Sequence, residues 1–276
     1  LKKEYLIQFL IVLFIFEKLA FQSIAAENFP AGARATALSN AFVSVSNTWS
    51  TFHNQAGLAG LESFSAGVFY ESRFMVDELS LTAGSLVFPV KAGTFGFSFS
   101  QFGKATYKEH KVGLAFAKKL TKKLSAAVQL DYLSERYPEN ESAAGFATFE
   151  AGVVYAATKE LFLGAHIFNP LQNGFDTPEG MQKMPATFRF GGHYQFPKMV
   201  LLIFEAEKNT EIPLMIKSGI EFSPVKNLAL RFGVSGKPVN YTAGLGFQTG
   251  KITTDIGFSY HGNLGLTPSV SMQINL

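Results

Sequence analysis

Residues 252–261 read Ile-Thr-Thr-Asp-Ile-Gly-Phe-Ser-Tyr-His, with Thr253, Asp255, Gly257, Ser259 and His261 on one parity and Ile252, Thr254, Ile256, Phe258 and Tyr260 on the other. The last stretch repeats the pattern, setting Ser269, Ser271, Gln273 and Asn275 against Val270, Met272, Ile274 and Leu276. Period-two alternation places one set on each face of a strand. In a soluble sandwich the apolar face is the inside. In a membrane barrel it meets lipid, and the polar face lines the lumen.

Upstream, the same alternation recurs from Ser63 onward. It marks strands at 63–72, 78–89, 93–102, 107–118, 123–137, 146–157, 160–168, 186–196, 199–207, 214–222, 227–235, 239–248, 251–261 and 267–276, about fourteen in all, most of them near the roughly 9–11 residues of a tilted spanning strand. The connections at Pro89–Ala92, Leu120–Lys122, Thr158-Lys159, Pro197-Lys198, Pro224–Lys226 and Gly250 are tight, whereas Pro138–Gly145 and Asn169–Pro185 are long. Short turns on one side and longer loops on the other are the outer-membrane arrangement, with the turns and both termini in the periplasm. Two segments break parity. In 160–168, Phe162 and Phe168 oppose Leu161 and Leu163, and 199–207 is apolar on both faces, as a strand touching a folded-in segment would be.

Composition agrees. Hydrophobic residues make up 47% and charged residues 16%, below the roughly 25% charge of ordinary globular domains. Beyond residue 26 no apolar run approaches the roughly 20 residues of a spanning helix. The net charge of +3, spread over scattered lysines, argues against nucleic-acid binding. Lys2-Lys3, the apolar run Tyr5–Phe16 and Ser23-Ile24-Ala25-Ala26 have the form of a secretory signal peptide over 1–26. The expected organisation is that leader, an N-terminal plug-like segment over 27–62 and a transmembrane barrel over 63–276, in the outer membrane of a Gram-negative bacterium.

Residues 30–61 do not alternate. Leu38, Ala41, Phe42 and Val45 recur at helical spacing. Gly32-Ala33-Arg34-Ala35, Ala41-Phe42-Val43-Ser44-Val45 and Asn54-Gln55-Ala56-Gly57-Leu58-Ala59 follow in order. These pieces resemble the opening of FadL-like outer-membrane proteins, especially the PorV/PorQ branch, with its Gly-Ala-Arg-Ala run and Asn-Pro-Ala-Gly-Leu motif. The resemblance implies a fourteen-stranded barrel with a segment folded into or under its periplasmic mouth. Gln55 stands where the family usually carries Pro, so the backbone restraint of Pro is lost at that turn.

Parity places Asp131, Glu135, Glu150, Arg189, His193, Lys217, Glu221, Arg231, Asp255 and His261 in the lumen, where both signs of charge are expected to pair. Gly152, Gly191, Gly233, Gly244, Gly246 and Gly257 share that face and leave backbone room. Catalysis finds no support, because Ser259 and His261, two apart on one strand, lie roughly 7 Å apart, too far for a nucleophile–base hydrogen bond. No phosphate loop, zinc motif or calcium loop is present, and no cofactor or metal is expected. In the long connection 169–185, Phe175, Met181 and Met184 are candidate extracellular contacts. The expected function is therefore non-enzymatic. By resemblance to PorV/PorQ, it is a component associated with type IX secretion that docks partner proteins or secreted cargo; the alternative is a FadL-like channel for hydrophobic small molecules. Outer-membrane lipid is a partner in either case.

Overall fold

A computed structural model describes residues 28–104, 107–136, 144–177, 180–197, 199–236 and 238–276. The signal-peptide segment lies outside the described residues. Sixteen strands follow an N-terminal segment: β1 (Ser65–Ser72), β2 (Ser80–Val90), β3 (Gly93–Phe102), β4 (Lys108–Lys119), β5 (Leu124–Arg136), β6 (Ala144–Ala156), β7 (Leu161–Phe168), β8 (Gly174–Thr177), β9 (Gly180–Lys183), β10 (Thr187–Phe196), β11 (Val200–Asn209), β12 (Met215–Val225), β13 (Leu228–Ser235), β14 (Asn240–Thr249), β15 (Ile252–His261) and β16 (Gly265–Asn275). All but β8 and β9 form one closed antiparallel barrel of fourteen strands, as the alternation implied. Closure comes from β1 pairing β16, from Ser65 opposite Asn275 to Glu71 opposite Ser269. With no free edge, each of these fourteen strands finds its backbone partners inside the wall, which a lipid environment demands.

The two faces divide as a membrane barrel requires. Leu114, Leu130, Phe190, Phe204, Phe232 and Tyr241 are exposed on the outside, while Gln129, Asp131, Glu150, Glu205 and Asp255 are buried. Polar groups in the middle and apolar ones outside invert the order of a water-soluble sandwich. Leu130, at the centre of β5, is 68% exposed. Leu130→Arg is expected to destabilise the folded barrel by about 2–4 kcal/mol in lipid, measured by denaturant titration in vesicles. Neutrality of that change would contradict the outward-facing lipid band.

The long connection between β7 and β10 carries secondary structure of its own among the described residues. It contains the β8–β9 hairpin, with Gly174 opposite Lys183 and Thr177 opposite Gly180, strands too short to show alternation. This hairpin packs against the long-loop ends of β5, β6 and β7. The Phe175 ring meets that of Phe146 edge-on at 4.7 Å, and Phe175 and Met184 are buried with Leu133 and Phe168. The expectation that both offer extracellular contacts is therefore corrected: their apolar surface is spent on packing with Leu133, Phe146 and Phe168, and of the three candidates only Met181 is exposed.

Candidate functional site: the plugged lumen

Residues 28–61 lie inside the barrel. Ala33, Leu38, Phe42, Trp49, Phe52 and Leu58 are all buried. Helical spacing through Val45 gives only a short helix, α1 (Ala33–Ala37), whose N-terminal segment neighbours lie on the wall at β13–β16. The helix stops there because Ser39 and Asn40 take left-handed backbone conformations, with φ of 56° and 55°. Two 3-10 turns follow, Thr48–Phe52 and Gln55–Gly60. The Asn47 carbonyl oxygen of the side chain accepts from Trp49 N at 2.9 Å, and that of Asn54 from Ala56 N at 3.2 Å, so each turn begins at an Asn cap.

Inward glycines give this segment its seat. A Cβ on Gly244 would stand 2.5 Å from the Ala37 Cβ, and one on Gly152 would stand 2.0 Å from Asn54 Oδ1. The wall strands approach the plug to within a distance that a side chain would deny. Apolar contact adds to this on both parity-breaking strands. Leu201 and Ile203 of β11 are buried in one cluster with Phe42, Val45 and Trp49, and Phe162 of β7 packs against the cluster around Leu58.

Three charged clusters fasten the plug to the wall. On β12–β15, Arg34 of α1 makes a two-pronged pair with Glu221, Nε to Oε2 and Nη2 to Oε1, both at 2.8 Å. Arg231 donates to Glu221 at 2.6 Å and to Asp255 at 2.8 Å, extending the chain of alternating charge.

On β10–β12, Arg189 Nε donates to Glu205 at 2.7 Å and Lys217 to Glu207 at 2.7 Å. Glu205 Oε2 accepts from the backbone N–H groups of Phe42 and Val43 at 2.8 and 2.9 Å. Arg189 also donates to the carbonyls of His53 and Asn40, at 3.1 and 2.9 Å. Burial, with the Arg189 guanidinium beside it, pushes the His53 imidazole well below its usual range. A neutral ring matches its partners: Nε2–H donates to the Ala31 carbonyl at 2.9 Å, leaving Nδ1 to accept from Arg189 at 3.4 Å.

On β4–β7, Lys111 pairs with Glu150 and lies 3.6 Å from Asp131. Glu150 also meets His166 Nε2 at 2.8 Å and accepts from Gln55 Nε2 at 2.7 Å. Gln55 thus anchors the turn through its side chain, where Pro would have restrained the backbone. Beside it, Asn54 Nδ2 donates to the carbonyls of Val43, Val153 and Ala165 at 2.6, 3.1 and 3.3 Å, tying two parts of the plug to β6 and β7. Ala56 and Gly57 complete the same buried turn.

Of the residues that parity assigned to the lumen, Asp131, Glu150, Arg189, Lys217, Glu221, Arg231 and Asp255 belong to these clusters. Glu135 is buried on the same face, higher in β5. His193 is half-buried, stacked on Phe162 with ring centroids 4.9 Å apart and hydrogen-bonded through Nδ1 to Ser44 Oγ at 2.8 Å. His261 corrects the expectation. It sits at the end of β15, where Nδ1 accepts from Asn263 N and Leu264 N at 3.3 Å each, and so shapes the turn rather than the lumen. Sequence reasoning missed Lys111, Glu205, Glu207 and Arg34. Lys111 shares parity with Gly113 and Ala115, opposite Val112 and Leu114, and that alternation was the available signal.

The plug leaves a chamber on each side. One, of about 180 Å³ at the long-loop end, is lined by Phe52, Phe168, Met184, Arg189 and Lys217 among others. The other, of about 380 Å³ at the short-turn end, is lined by Arg34, Asn47, Glu221, Arg231, Asp255 and Gln273 among others. On the lipid side, an apolar depression of about 760 Å³ crosses β7 and β10–β13, bordered by Leu163, Phe190, Leu202, Phe204, Ile220 and Phe232. Its floor includes Gly191, Gly219 and Gly233, and on their lumen side these glycines abut Val43, Leu38 and Ser39 of the plug.

Solved structures share this architecture. A Pseudomonas aeruginosa FadL homologue superposes with a TM-score of 0.65 at 12% identity, covering 89% of this chain and 98% of its own. The P. putida toluene transporter TodX gives 0.67 at 13% identity, covering 91% and 99%. The fold is that of FadL-type outer-membrane barrels. The Acinetobacter baumannii outer membrane protein Omp33 is more distant, with a TM-score of 0.52 at 9% identity, covering 78% of this chain and 98% of its own. No protein-family model and no curated protein matches the chain.

Proposed function

We propose that this chain is an outer-membrane channel for hydrophobic small molecules, closed by its own N-terminal segment. The observation that carries this reading is the back-to-back placement of an apolar depression of about 760 Å³ on the lipid face and the plug residues Leu38, Ser39 and Val43, with the glycine positions of β10, β12 and β13 between them. An apolar solute gathers at such a surface from the bilayer, while side-chain anchors hold the plug without making it a strand of the wall. The FadL-type fold and the chambers on either side of the plug support the same reading. The test is uptake of a labelled medium-chain fatty acid and of a labelled monoaromatic hydrocarbon by Gram-negative cells carrying the chain. Accumulation above that of vector-only cells is expected for at least one of them. Equal accumulation for both would remove the proposal.

A second reading, docking of secretion partners or cargo as in PorV/PorQ barrels, draws on the filled lumen and on exposed Leu171 and Met181 in the β7–β10 connection. Affinity purification in mild detergent separates the two: co-purified secretion components favour docking, and bound apolar ligand favours the channel.

A further inference from the structure

The lysines that look scattered along the sequence are gathered by the fold, and the short-turn end of the barrel carries a concentration of positive charge that neither the plug nor the lumen uses. The end of β4 and the turn into β5 read Lys118-Lys119-Leu120-Thr121-Lys122-Lys123. The neighbouring turns supply Lys91 between β2 and β3 and Lys159 between β6 and β7. Register brings the three turns side by side, with Thr94 opposite Ala117 and Leu124 opposite Tyr155. All six lysines are exposed, and among the described residues none makes an ion pair. Lys123 Nζ donates only to the Ala157 carbonyl, at 3.3 Å. Glu160 is the one carboxylate in these turns, and its Oε2 accepts from Thr158 Oγ1 at 2.9 Å.

What adjoins the lysines identifies the partner. Phe95 and Phe116 pack ring to ring at a tilt of 52°, and Phe64 and Phe88 at 54°, with centroids 5.0 Å apart in each pair, at the short-turn ends of the strands. Lys118 shares the outward parity of Phe116 and Leu114, and Leu120, within the lysine run, is 57% exposed. Aromatic rings at the edge of an apolar wall mark the membrane–water interface. The cations therefore lie at headgroup depth, with an apolar side chain among them.

We infer that this face binds the phosphate headgroups of an anionic phospholipid of the periplasmic leaflet, with a doubly charged headgroup such as that of cardiolipin fitting a cation set shared by adjacent turns. Basic clusters at a membrane surface attract anionic lipid by about a fewfold in affinity per lysine, and the acyl chains lie over Phe95, Phe116 and Leu114.

The test is native mass spectrometry of the full chain in detergent, titrated with cardiolipin and, separately, with phosphatidylethanolamine. K118Q/K119Q/K122Q/K123Q is expected to lower cardiolipin affinity about tenfold or more, to leave phosphatidylethanolamine unchanged, and to be rescued by the four corresponding Arg substitutions. The unmodified chain gives an independent readout: raising salt to ~0.5 M weakens cardiolipin binding and spares phosphatidylethanolamine. Equal cardiolipin binding by the Gln variant and the unmodified chain, with no salt effect, would overturn the inference. So would full displacement of the lipid by inorganic pyrophosphate, which would mark a site for free phosphate, or lysine-dependent capture of an acidic periplasmic protein with no lipid preference.

Discussion

Glu205→Ala is expected to destabilise the plugged barrel by about 3–5 kcal/mol, the largest single-residue effect in the lumen. Glu205 has no solvent exposure. It accepts from Arg189 at 2.7 Å, lies 3.6 Å from Lys217 Nζ, and receives the N–H groups of Phe42 and Val43. Removing it leaves two largely buried cations and two backbone donors without the acceptor they share. Glu207 offsets part of the loss, being 3.3 Å from Arg189 and 2.7 Å from Lys217. Nothing replaces the acceptor for the two plug amides, so the damage falls more on the seat of the plug than on the wall. Glu205→Gln keeps the shape and one acceptor oxygen and is expected to fall between. Denaturant titration in vesicles reads the stability, and protease cleavage within 28–61 reads the seat. An Ala variant as stable and as protected as the parent would show that the cluster holds nothing.

Excising residues 28–61 is expected to convert a closed barrel into an open one. The wall closes through the β1–β16 ladder and not through the plug, so the fourteen strands persist. Without the insert, the charged faces of β4–β7 and β10–β15 meet water, where separated charges cost little. Planar-bilayer recordings should then show large, stable ion conductance, whereas the intact chain shows little. A silent excised barrel would mean that the wall itself collapses or that other segments block it. Large, stable conductance from the intact chain would contradict the filled lumen.

The wall was legible in the sequence because lipid outside and a polar lumen inside force a period-two code on every spanning strand. Segment 93–102 coincides with β3, and the others differ from their strands by no more than a few residues. Parity also named Glu150, Arg189 and Asp255 as inward residues. The code failed where the plug supplies the environment. In β11, Leu201 and Ile203 are buried in one cluster with the plug residues Phe42 and Val45, so apolar residues stand on both faces and hide Glu205 and Glu207. The plug itself was legible only as a segment without alternation. Its path depends on left-handed Ser39 and Asn40 and on hydrogen bonds from Asn54 and Gln55 to strands about a hundred positions away, which local periodicity does not encode. Phe175 and Met184 misled for a related reason: a loop composition does not reveal that the loop folds inward.

The central claim, that passage requires the plug to leave its seat, is tested most directly by locking it. The chain contains no cysteine, so an introduced pair has no competitors. Ser39 Oγ and Thr242 Oγ1 are 3.0 Å apart, one on the plug and the other on β14. In S39C/T242C, oxidation should abolish uptake of the labelled hydrophobic solute, and reduction should restore it to the level of the parent chain. Undiminished uptake through the oxidised variant, with the disulfide verified by mass, would contradict the account.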